Sequence, residues 1–309
     1  MRHRHLTRRA ILARGAAFAA AVALQPPSLR AEVLEPTTRR IPSTGEAIPA
    51  IGLGTWITFN VGSDPVLRNE CAAVIAAFLE GGGRMIDSSP MYGSSQPTIG
   101  YSLKKLRSSQ PLFSAEKVWT SSANSGPDQI EQSRVHWGVP RFDLIQVHNL
   151  VSWKEHLKTL LAMKAAGTVR YVGITTSEGR RHDLVEEIMR TQPIDFVQVT
   201  YNVLDREVEA RILPLAQDRG IGVIVNRPFR EGHLIRQLAR QPLPKWTSET
   251  GASTWAQYIL RFIVSHPAVT CAIPATTRVD HVRENLEAAT GIVPDDALRR
   301  RMAAYVQDL

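Results

Sequence analysis

Short apolar runs rich in β-branched residues alternate with longer segments of helical spacing from residue 39 onward. The runs are almost purely apolar, as expected for parallel strands that are covered on both faces of the sheet. They predict strands at Ile51–Trp56, Arg84–Ser88, Leu112–Trp119, Asp143–His148, Tyr171–Thr175, Phe196–Tyr201, Gly222–Asn226 and Cys271–Pro274. The helical spacing predicts, among others, helices at Leu67–Leu79, Lys154–Ala166, His182–Arg190, Glu207–Gln217, Trp255–Ser265 and His281–Ala289.

Eight such strand and helix units fit a single closed (β/α)₈ TIM barrel better than an open doubly wound sheet. A short hairpin is predicted before the first strand, with Arg40–Pro42 and Ala47–Ala50 on either side of a turn. This hairpin could plug the bottom of the barrel. The long stretch Phe229–Gly251 is interpreted as an inserted loop that could fold over a ligand.

The composition is that of an ordinary globular protein, with 43% apolar and 21% charged residues in a chain of 309. The net charge of +8 could indicate nucleic-acid binding, but the charge is unevenly distributed along the chain. Residues 1–31 carry six arginines and no acidic residue, so the remainder is nearly balanced and offers no basic face for nucleic acid. Cys71 and Cys271 lie far apart, which excludes a disulfide framework and a cysteine-rich zinc site.

The N-terminal segment resembles a twin-arginine export signal. Arg8-Arg9 precede the apolar run Ala16–Leu24, and Ala31 offers a small residue for cleavage. The run is too short and too rich in alanine for a stable membrane span. We therefore divide the chain into a signal, residues 1–31, and a barrel, residues 32–309, located in the periplasm or elsewhere outside the cytoplasm. The alternatives are a disordered basic tail or a mis-assigned start, and the protein would then be cytoplasmic.

Ionisable residues close several predicted strands, at the face where barrel enzymes carry their chemistry. Asp87 ends the second strand and Tyr92 follows it, Lys117 lies on the third strand, and His148 ends the fourth. A buried lysine beside an aspartate stays charged, and this cation should lower the pKa of a neighbouring tyrosine. The tyrosine could then give a proton to a carbonyl oxygen that the histidine also hydrogen-bonds. Taken singly, these residues could be an ion pair, a rim aromatic and a core histidine, but the set favours chemistry.

The segments around these residues resemble the aldo-keto reductases. The resemblance follows the family order over residues 40–290 and rests on Ile51–Trp56, Ile86–Gly93, Lys117–Thr120, Asp143–Asn149, Gly167–Ile174, Gln198 with Tyr201-Asn202, and Ile273–Arg278 with Glu284–Leu286. It implies a reductase that moves a hydride from NADPH or NADH to an aldehyde or ketone without a metal.

The resemblance also implies roles for individual residues. Tyr92 would be the proton donor, with Lys117 and Asp87 tuning it, and His148 would orient the carbonyl. Substrate would contact Trp56, Tyr92, Trp119 and His148, which would make the pocket partly aromatic. The coenzyme would contact Gly54, Thr55, Asp87, Thr175, Thr176, Gln198, Asn226, Arg227, Phe229, Thr276, Thr277, Arg278, His281, Glu284 and Asn285. Of these, Thr175, Thr176 and Gln198 match positions at the nicotinamide carboxamide, and the residues from Thr276 onward match the adenosine end.

The coenzyme prediction is NADPH, with NADH possible. Arg278 could hold a 2′-phosphate through its guanidinium group. Two positions weaken this preference, because Ala275 stands where the NADPH-preferring animal enzymes commonly have lysine and His281 replaces a frequent arginine.

Other positions also depart from the family pattern. Asn226 stands where many members stack a tyrosine on the nicotinamide, although Phe229 could still reach that ring. Thr175-Thr176 replaces a usual Ser-Asn pair, and Gln96 replaces a common glutamate. Glu116 stands before Lys117, where a small polar residue is usual. Adjacent strand residues point to opposite faces. We therefore expect Glu116 to face solvent or the helices, with a rival pairing to Lys117 as the alternative.

Three accounts of function follow from the sequence. The first is the carbonyl reductase, supported by the intact set of four ionisable residues and acting on a small molecule. The second is a nucleotide-binding barrel of low activity that serves as a sensor or binding subunit, because fold does not fix function. A metal-dependent hydrolase would need clustered histidine and carboxylate ligands, whereas the strand ends supply one histidine. We expect specificity to lie on loops around Thr58–Asp64, Ser121–Pro127, Leu150–Lys154 and the insertion, in a monomeric protein.

Overall fold

The structure is a computed structural model that describes residues 36–309, so the predicted export signal lies outside the described residues. Two strands form an antiparallel hairpin and eight parallel strands form one sheet in chain order. The strands are β1 (Thr38–Arg40), β2 (Ala47–Pro49), β3 (Leu53–Gly54), β4 (Met85–Asp87), β5 (Phe113–Val118), β6 (Phe142–Val147), β7 (Val169–Thr175), β8 (Phe196–Thr200), β9 (Gly222–Asn226) and β10 (Val269–Ala272).

The first and last strands of the sheet meet and close the barrel. The Gly52 amide donates to the Ala272 carbonyl at 2.8 Å, and the Gly54 amide donates to the Pro274 carbonyl at 3.0 Å. A Cβ atom on Gly54 would lie 2.7 Å from the Ile273 carbonyl oxygen, so this close approach requires glycine. Closure of eight sequentially paired strands confirms the predicted (β/α)₈ barrel over the open doubly wound sheet.

Helices follow the strands and cover the outside of the barrel. They are α1 (Pro65–Glu80), α2 (Ser95–Leu106), α3 (Gly126–Trp137), α4 (Trp153–Ala165), α5 (His182–Thr191), α6 (Ile212–Arg219), α7 (His233–Leu238), α8 (Trp255–Val264), α9 (Val279–Glu287) and α10 (Asp296–Gln307). Side-chain caps fix several starts, as where the Asp64 carboxylate accepts the Val66 and Leu67 amides at 2.8 and 3.0 Å.

Several predicted boundaries were wrong, and three of the differences have local reasons. The predicted helix Glu207–Gln217 is a 3₁₀ turn, Glu207–Glu209, followed by α6, because Pro214 is tolerated only in the first turn of a helix. The last strand ends at Ala272, since Pro274 has no amide to donate to a ladder. The first strand is shorter than predicted because the chain turns at Trp56, where the Phe59 amide donates to the Thr55 carbonyl.

The hairpin fills the bottom of the barrel, as predicted. Ile41 and Ile48 are fully buried in one apolar cluster with interior residues such as Phe113, Tyr171 and Phe196. The connecting turn is anchored by Arg170, which pairs with Glu46, and by Tyr171, whose hydroxyl donates to the same carboxylate at 2.8 Å. The floor is thereby sealed, and access to the interior is left to the opposite face.

The insertion after β9 carries α7 and then a short 3₁₀ turn, Thr247–Thr250, before α8 begins. Leu234 and Leu238 on α7 are buried in the main core, so this segment packs onto the barrel. Between residues 36 and 309, none of the helices is both long and apolar enough to cross a bilayer.

Candidate active site

Four ionisable residues come together where neighbouring strands end. Asp87 is the last residue of β4, Lys117 is next to last on β5, and His148 directly follows β6. Tyr92 lies in the loop after β4, with its ring 5.7 Å from the His148 ring, edge to face. The predicted convergence of these four side chains on one rim is present in the structure.

A buried ion pair forms the base of this site. The Lys117 Nζ atom lies 2.5 Å from the Asp87 Oδ1 atom and donates to the Ser88 carbonyl at 2.6 Å. Burial, the largest single effect, would lower the pKa of the Lys117 ammonium. The charge and hydrogen bond of Asp87, together with Tyr92 and Glu116, outweigh it, and the pKa is raised. The other carboxylate oxygen of Asp87 accepts from Gln198 Nε2 at 3.0 Å. Lys117 therefore stays a cation inside the barrel, as predicted.

Tyr92 lies against this cation, whose Nζ atom is 5.1 Å from the centre of the phenol ring. The expected lowering of the Tyr92 pKa was wrong in its net direction. Burial raises the pKa to about 12, and the opposing pull of Lys117 is weakened by the negative charge of Asp87. The phenol is therefore protonated over the whole physiological range, which suits a group that gives up a proton only during a reaction.

His148 is buried and neutral. Burial, and then the Lys117 charge, lower the pKa of its imidazole to about 2. Its Nδ1 atom is 2.8 Å from the Ser89 hydroxyl, and the ring lines the same cavity as Tyr92. An uncharged imidazole next to a protonated phenol offers two groups that could face one oxygen atom.

A cavity of about 750 Å³ opens above these residues. This volume lies within the range of small-molecule sites. Most predicted site residues line it: Gly54, Thr55, Trp56, Asp87, Tyr92, His148, Thr175, Gln198, Asn226, Arg227, Phe229, Thr276, His281, Glu284 and Asn285. The cavity thus extends from the ionisable cluster to one face of α9.

Other predicted residues lie outside the cavity wall. Lys117 is buried below it, and the Thr176 hydroxyl donates to the Arg180 carbonyl at 2.6 Å. Trp119 is 41% exposed on the surface, and Thr277 is exposed as well. Arg278 is exposed and forms an ion pair with Asp280, two residues further along.

The middle of the cavity is uncharged and polar. The Thr200 hydroxyl donates to Asn226 Oδ1 at 2.7 Å, and Asn226 Nδ2 donates to the Thr176 carbonyl at 2.9 Å. These bonds hold the Asn226 side chain at the end of β9. The aromatic ring that lines the cavity after β9 belongs to Phe229.

Several lining residues were not found from the sequence. They include Ile57, Met91, Asn149, Glu178, Arg180, Thr254 and Trp255. The insertion was predicted to reach a ligand, and α7 does contribute, whereas Ser121–Pro127 and Leu150–Lys154 contribute no lining residue. The charged residues of the loop Glu178–Arg181 after β7 could have indicated that this loop lines the site. Trp255 carried no local signal, because a tryptophan in a helical pattern equally predicts core.

An ion-pair network crosses the cavity wall. Arg227 Nη1 lies 3.0 Å from Glu178 Oε1 and 2.6 Å from Glu231 Oε1. The network joins the loop after β7 to the insertion after β9. Arg180 and Arg236 add two more guanidinium groups to the same wall.

Glu116 faces the helices and is completely buried. Its carboxylate accepts from Gln96 Nε2 at 2.9 Å, Trp137 Nε1 at 2.8 Å and the Lys117 amide at 2.8 Å. Burial raises the pKa of Glu116 to about 7. The helix-facing prediction is confirmed, the solvent alternative was wrong, and the Lys117 ammonium pairs with Asp87 instead. The acid missing at Gln96 is thus supplied by the strand residue that contacts it.

Within residues 36–309, no group of three or more histidine, cysteine, aspartate or glutamate side chains is arranged to hold a metal ion. The acidic and imidazole groups of the site are engaged with Lys117, Gln198 and Ser89 as described.

The fold and this cluster fit the barrel reductase expected from the sequence, and comparison with known proteins identifies the family. A family model described as "Aldo/keto reductase family" matches residues 50–300. The chain therefore belongs to the aldo/keto reductase family. It is similar to the NADH-specific methylglyoxal reductase of Escherichia coli, with 26% identity over 244 residues that cover 67% of this chain and 72% of that protein.

Solved structures agree on the fold. An aldo/keto reductase of Klebsiella pneumoniae in complex with NADP and acetate superposes with a TM-score of 0.72 at 23% identity, covering 85% of this chain and 93% of that one. The holo form of an aldo-keto reductase from Bacillus halodurans gives 0.72 at 21% identity, covering 88% and 96%.

Glu116→Gln is expected to change how stability depends on pH. In the folded protein the Glu116 pKa is about 7 against an ordinary 4.5, so between these values the folded chain keeps a proton that the unfolded chain has lost. The free energy of unfolding contributed by this group therefore falls as pH rises through the window, by at most about 3 kcal/mol. Glutamine does not ionise, so the variant should gain stability over the wild type between about pH 5 and about pH 8.

Denaturant unfolding of both proteins at these two pH values measures the difference. Glu80→Gln, at an exposed carboxylate on α1, is the matched control. If Glu116→Gln and the wild type differ in free energy of unfolding by the same amount at both pH values, the raised pKa of Glu116 is contradicted.

Proposed function

We propose that the protein is an NAD(P)H-dependent reductase that converts an aldehyde or ketone to an alcohol. The observation that carries the proposal is a protonated phenol, Tyr92, held against a buried Lys117–Asp87 ion pair at the mouth of a cavity. Membership of the aldo/keto reductase family supports the same activity.

The residues of the chain have separate tasks in this reaction. The bound nicotinamide coenzyme supplies the hydride. Tyr92 donates its hydroxyl proton to the carbonyl oxygen as that oxygen gains negative charge. Lys117 lies next to the phenolate that remains and stabilises its charge, while Asp87 holds the ammonium in place. His148, neutral and on the same wall, orients the carbonyl.

The cavity fits an anionic dinucleotide. Its middle offers Thr175, Gln198 and Asn226 as uncharged hydrogen-bonding groups for an amide. Three guanidinium groups, those of Arg180, Arg227 and Arg236, lie on its wall. Glu178 and Glu231 neutralise part of the charge of the first two, whereas Arg236 makes no ion pair within residues 36–309 and could complement a phosphate. The far end reaches the face of α9 formed by His281, Glu284 and Asn285. A coenzyme held by these residues would extend along this path and would supply its hydride near Tyr92.

The mouth near Tyr92 is largely apolar. Trp56, Ile57, Met91 and Phe229 line it, and Ile57 is 61% exposed. This surface favours a small carbonyl compound with an apolar substituent. The methylglyoxal reductase of Escherichia coli supports a reactive aldehyde as the first test substrate.

We further propose that residues 1–31 direct the protein out of the cytoplasm. The support is the Arg8-Arg9 pair, the apolar run Ala16–Leu24 and the small residue Ala31. Replacing both arginines by lysine should keep the protein in the cytoplasmic fraction of a bacterial host. Recovery of the variant and the wild type in the same fraction would contradict the proposal.

Tyr92→Phe is expected to lower kcat for aldehyde reduction by about 100-fold or more, because the proton donor is lost. Coenzyme affinity should stay within about twofold, since the hydroxyl that is removed faces the substrate carbonyl and not the phosphate or adenosine part of the coenzyme. Turnover is followed by nicotinamide absorbance with NADPH and NADH, and affinity by titration calorimetry. Tyr101→Phe removes a phenol hydroxyl from exposed α2 and should leave both values unchanged.

Coenzyme binding without turnover in the wild type would support a binding or sensor role instead of the reductase. Absence of coenzyme binding would overturn the assignment of the cavity.

Asp280→Asn is expected to increase the preference for NADPH over NADH. Arg278 is the cation proposed for the 2′-phosphate, and the Asp280 carboxylate competes for its guanidinium group. An exposed ion pair is weak, so the ratio of the two kcat/KM values should rise by only about two- to fivefold. Arg278→Ala should lower the same ratio. If neither substitution changes it, the 2′-position lies elsewhere.

A further inference from the structure

Ser89 makes a buried hydrogen bond to the imidazole of His148, a residue of the proposed reaction. Ser89 is completely buried two residues after the end of β4. Its Oγ atom lies 2.8 Å from His148 Nδ1 and accepts the Met91 amide at 3.1 Å. Among residues 36–309, these are the hydrogen-bond partners of the hydroxyl.

The hydroxyl proton decides which way the bond to His148 runs. The Met91 amide can only donate, so the Ser89 proton has His148 Nδ1 as its acceptor. If Nδ1 carried a proton instead, the Ser89 oxygen would receive two donors and its own proton would be buried without an acceptor. A buried donor without an acceptor is costly. The arrangement therefore favours an imidazole whose Nδ1 accepts and whose Nε2 carries the proton.

The other ring nitrogen is left for the cavity. His148 lines the cavity beside Tyr92, and in the described part of the chain its Nε2 atom has no hydrogen-bond partner. A neutral imidazole can donate from one nitrogen only. The tautomer set by Ser89 therefore presents a donor, rather than an acceptor, to whatever oxygen occupies the Tyr92 end.

The neighbouring serine does not share this role. Ser88 Oγ is 2.9 Å from the Ser95 hydroxyl at the start of α2. Although the two serines are adjacent in sequence and equally buried, Ser89 alone of this pair contacts the imidazole.

We propose that Ser89 is a positioning residue that fixes His148 as the Nε2–H tautomer and aims this N–H at the substrate carbonyl oxygen. The proposal deepens the reductase function and its kinetic consequence rests on it. The tautomer itself is a property of the folded chain and can be measured without any turnover.

The first test is ¹⁵N NMR of the full chain labelled at histidine, at neutral pH. The protein has 9 histidines, and the His148 signals are assigned from their loss in His148→Gln. The result expected is a neutral ring with Nδ1 unprotonated and Nε2 protonated. A wild-type ring protonated at Nδ1 would overturn the proposal, whatever the enzyme's activity.

The second test compares Ser89→Ala with Ser89→Thr, which retains the hydroxyl. Ser89→Ala should lower kcat by about tenfold, with the KM for coenzyme unchanged, because a carbonyl donor is misplaced. The His148 signals should move in the alanine variant and return in the threonine variant, together with kcat. Ser102→Ala, which removes a buried hydroxyl from α2, is the matched control and should behave as wild type.

The outcomes distinguish the role of Ser89 from the proposed reductase function. Wild-type kcat and unchanged His148 signals in Ser89→Ala would overturn the role of Ser89. A wild type that reduces no carbonyl while showing the Nε2–H tautomer would overturn the proposed function and confirm the hydrogen-bond assignment.

Discussion

The site depends on one buried ion pair, between Lys117 and Asp87. Both charged groups are buried away from water. Each is stable there because the other lies 2.5 Å away and because neighbouring polar groups form hydrogen bonds with their remaining donors and acceptors. Asp87 also accepts from Gln198, and Lys117 donates to the Ser88 carbonyl. Loss of either charged partner would leave the other uncompensated. The pair therefore requires suitable residues on three strands, Asp87 on β4, Lys117 on β5 and Gln198 on β8. It also sets the electrostatic environment of Tyr92.

The barrel supplies the rigidity that such a pair needs. Asp87 and Lys117 lie near the ends of neighbouring parallel strands, and the ladder between β4 and β5 fixes their separation. The hairpin seals the floor with Ile41 and Ile48, so the cavity opens at the face where these strands end. Behind the strand, Glu116 accepts the Lys117 amide and is itself held by Gln96 and Trp137 on two helices. The ammonium is thus fixed by its own strand, the neighbouring strand and the helix layer.

Much of the fold followed from the sequence because parallel strands buried on both faces leave a clear apolar signal, and the ionisable residues stood at the ends of those strands. Most of the predictions that were wrong or missing concerned contacts between residues that lie far apart in the sequence. The sign of the Tyr92 pKa shift depends on how deeply the phenol is buried, and Glu116 meets Gln96 only after α2 has packed on β5. The ion pair of Arg278 with Asp280 was not foreseen either, and the assignment of Arg278 to the coenzyme stays a prediction. The hydrogen bond between Ser89 and His148 joins residues 59 positions apart, so no local sequence pattern could predict it.

The most direct test of the central claim is a pH titration of Tyr92 by ¹³C NMR of tyrosine-labelled protein. Tyr92→Phe assigns its signal among the six tyrosines. The account predicts that the wild-type phenol remains protonated through its ordinary pKa of 10, because burial and Asp87 outweigh Lys117. In Asp87→Asn the pKa should fall, since the Lys117 ammonium then acts without the opposing carboxylate. A wild-type pKa below 10 would contradict the account.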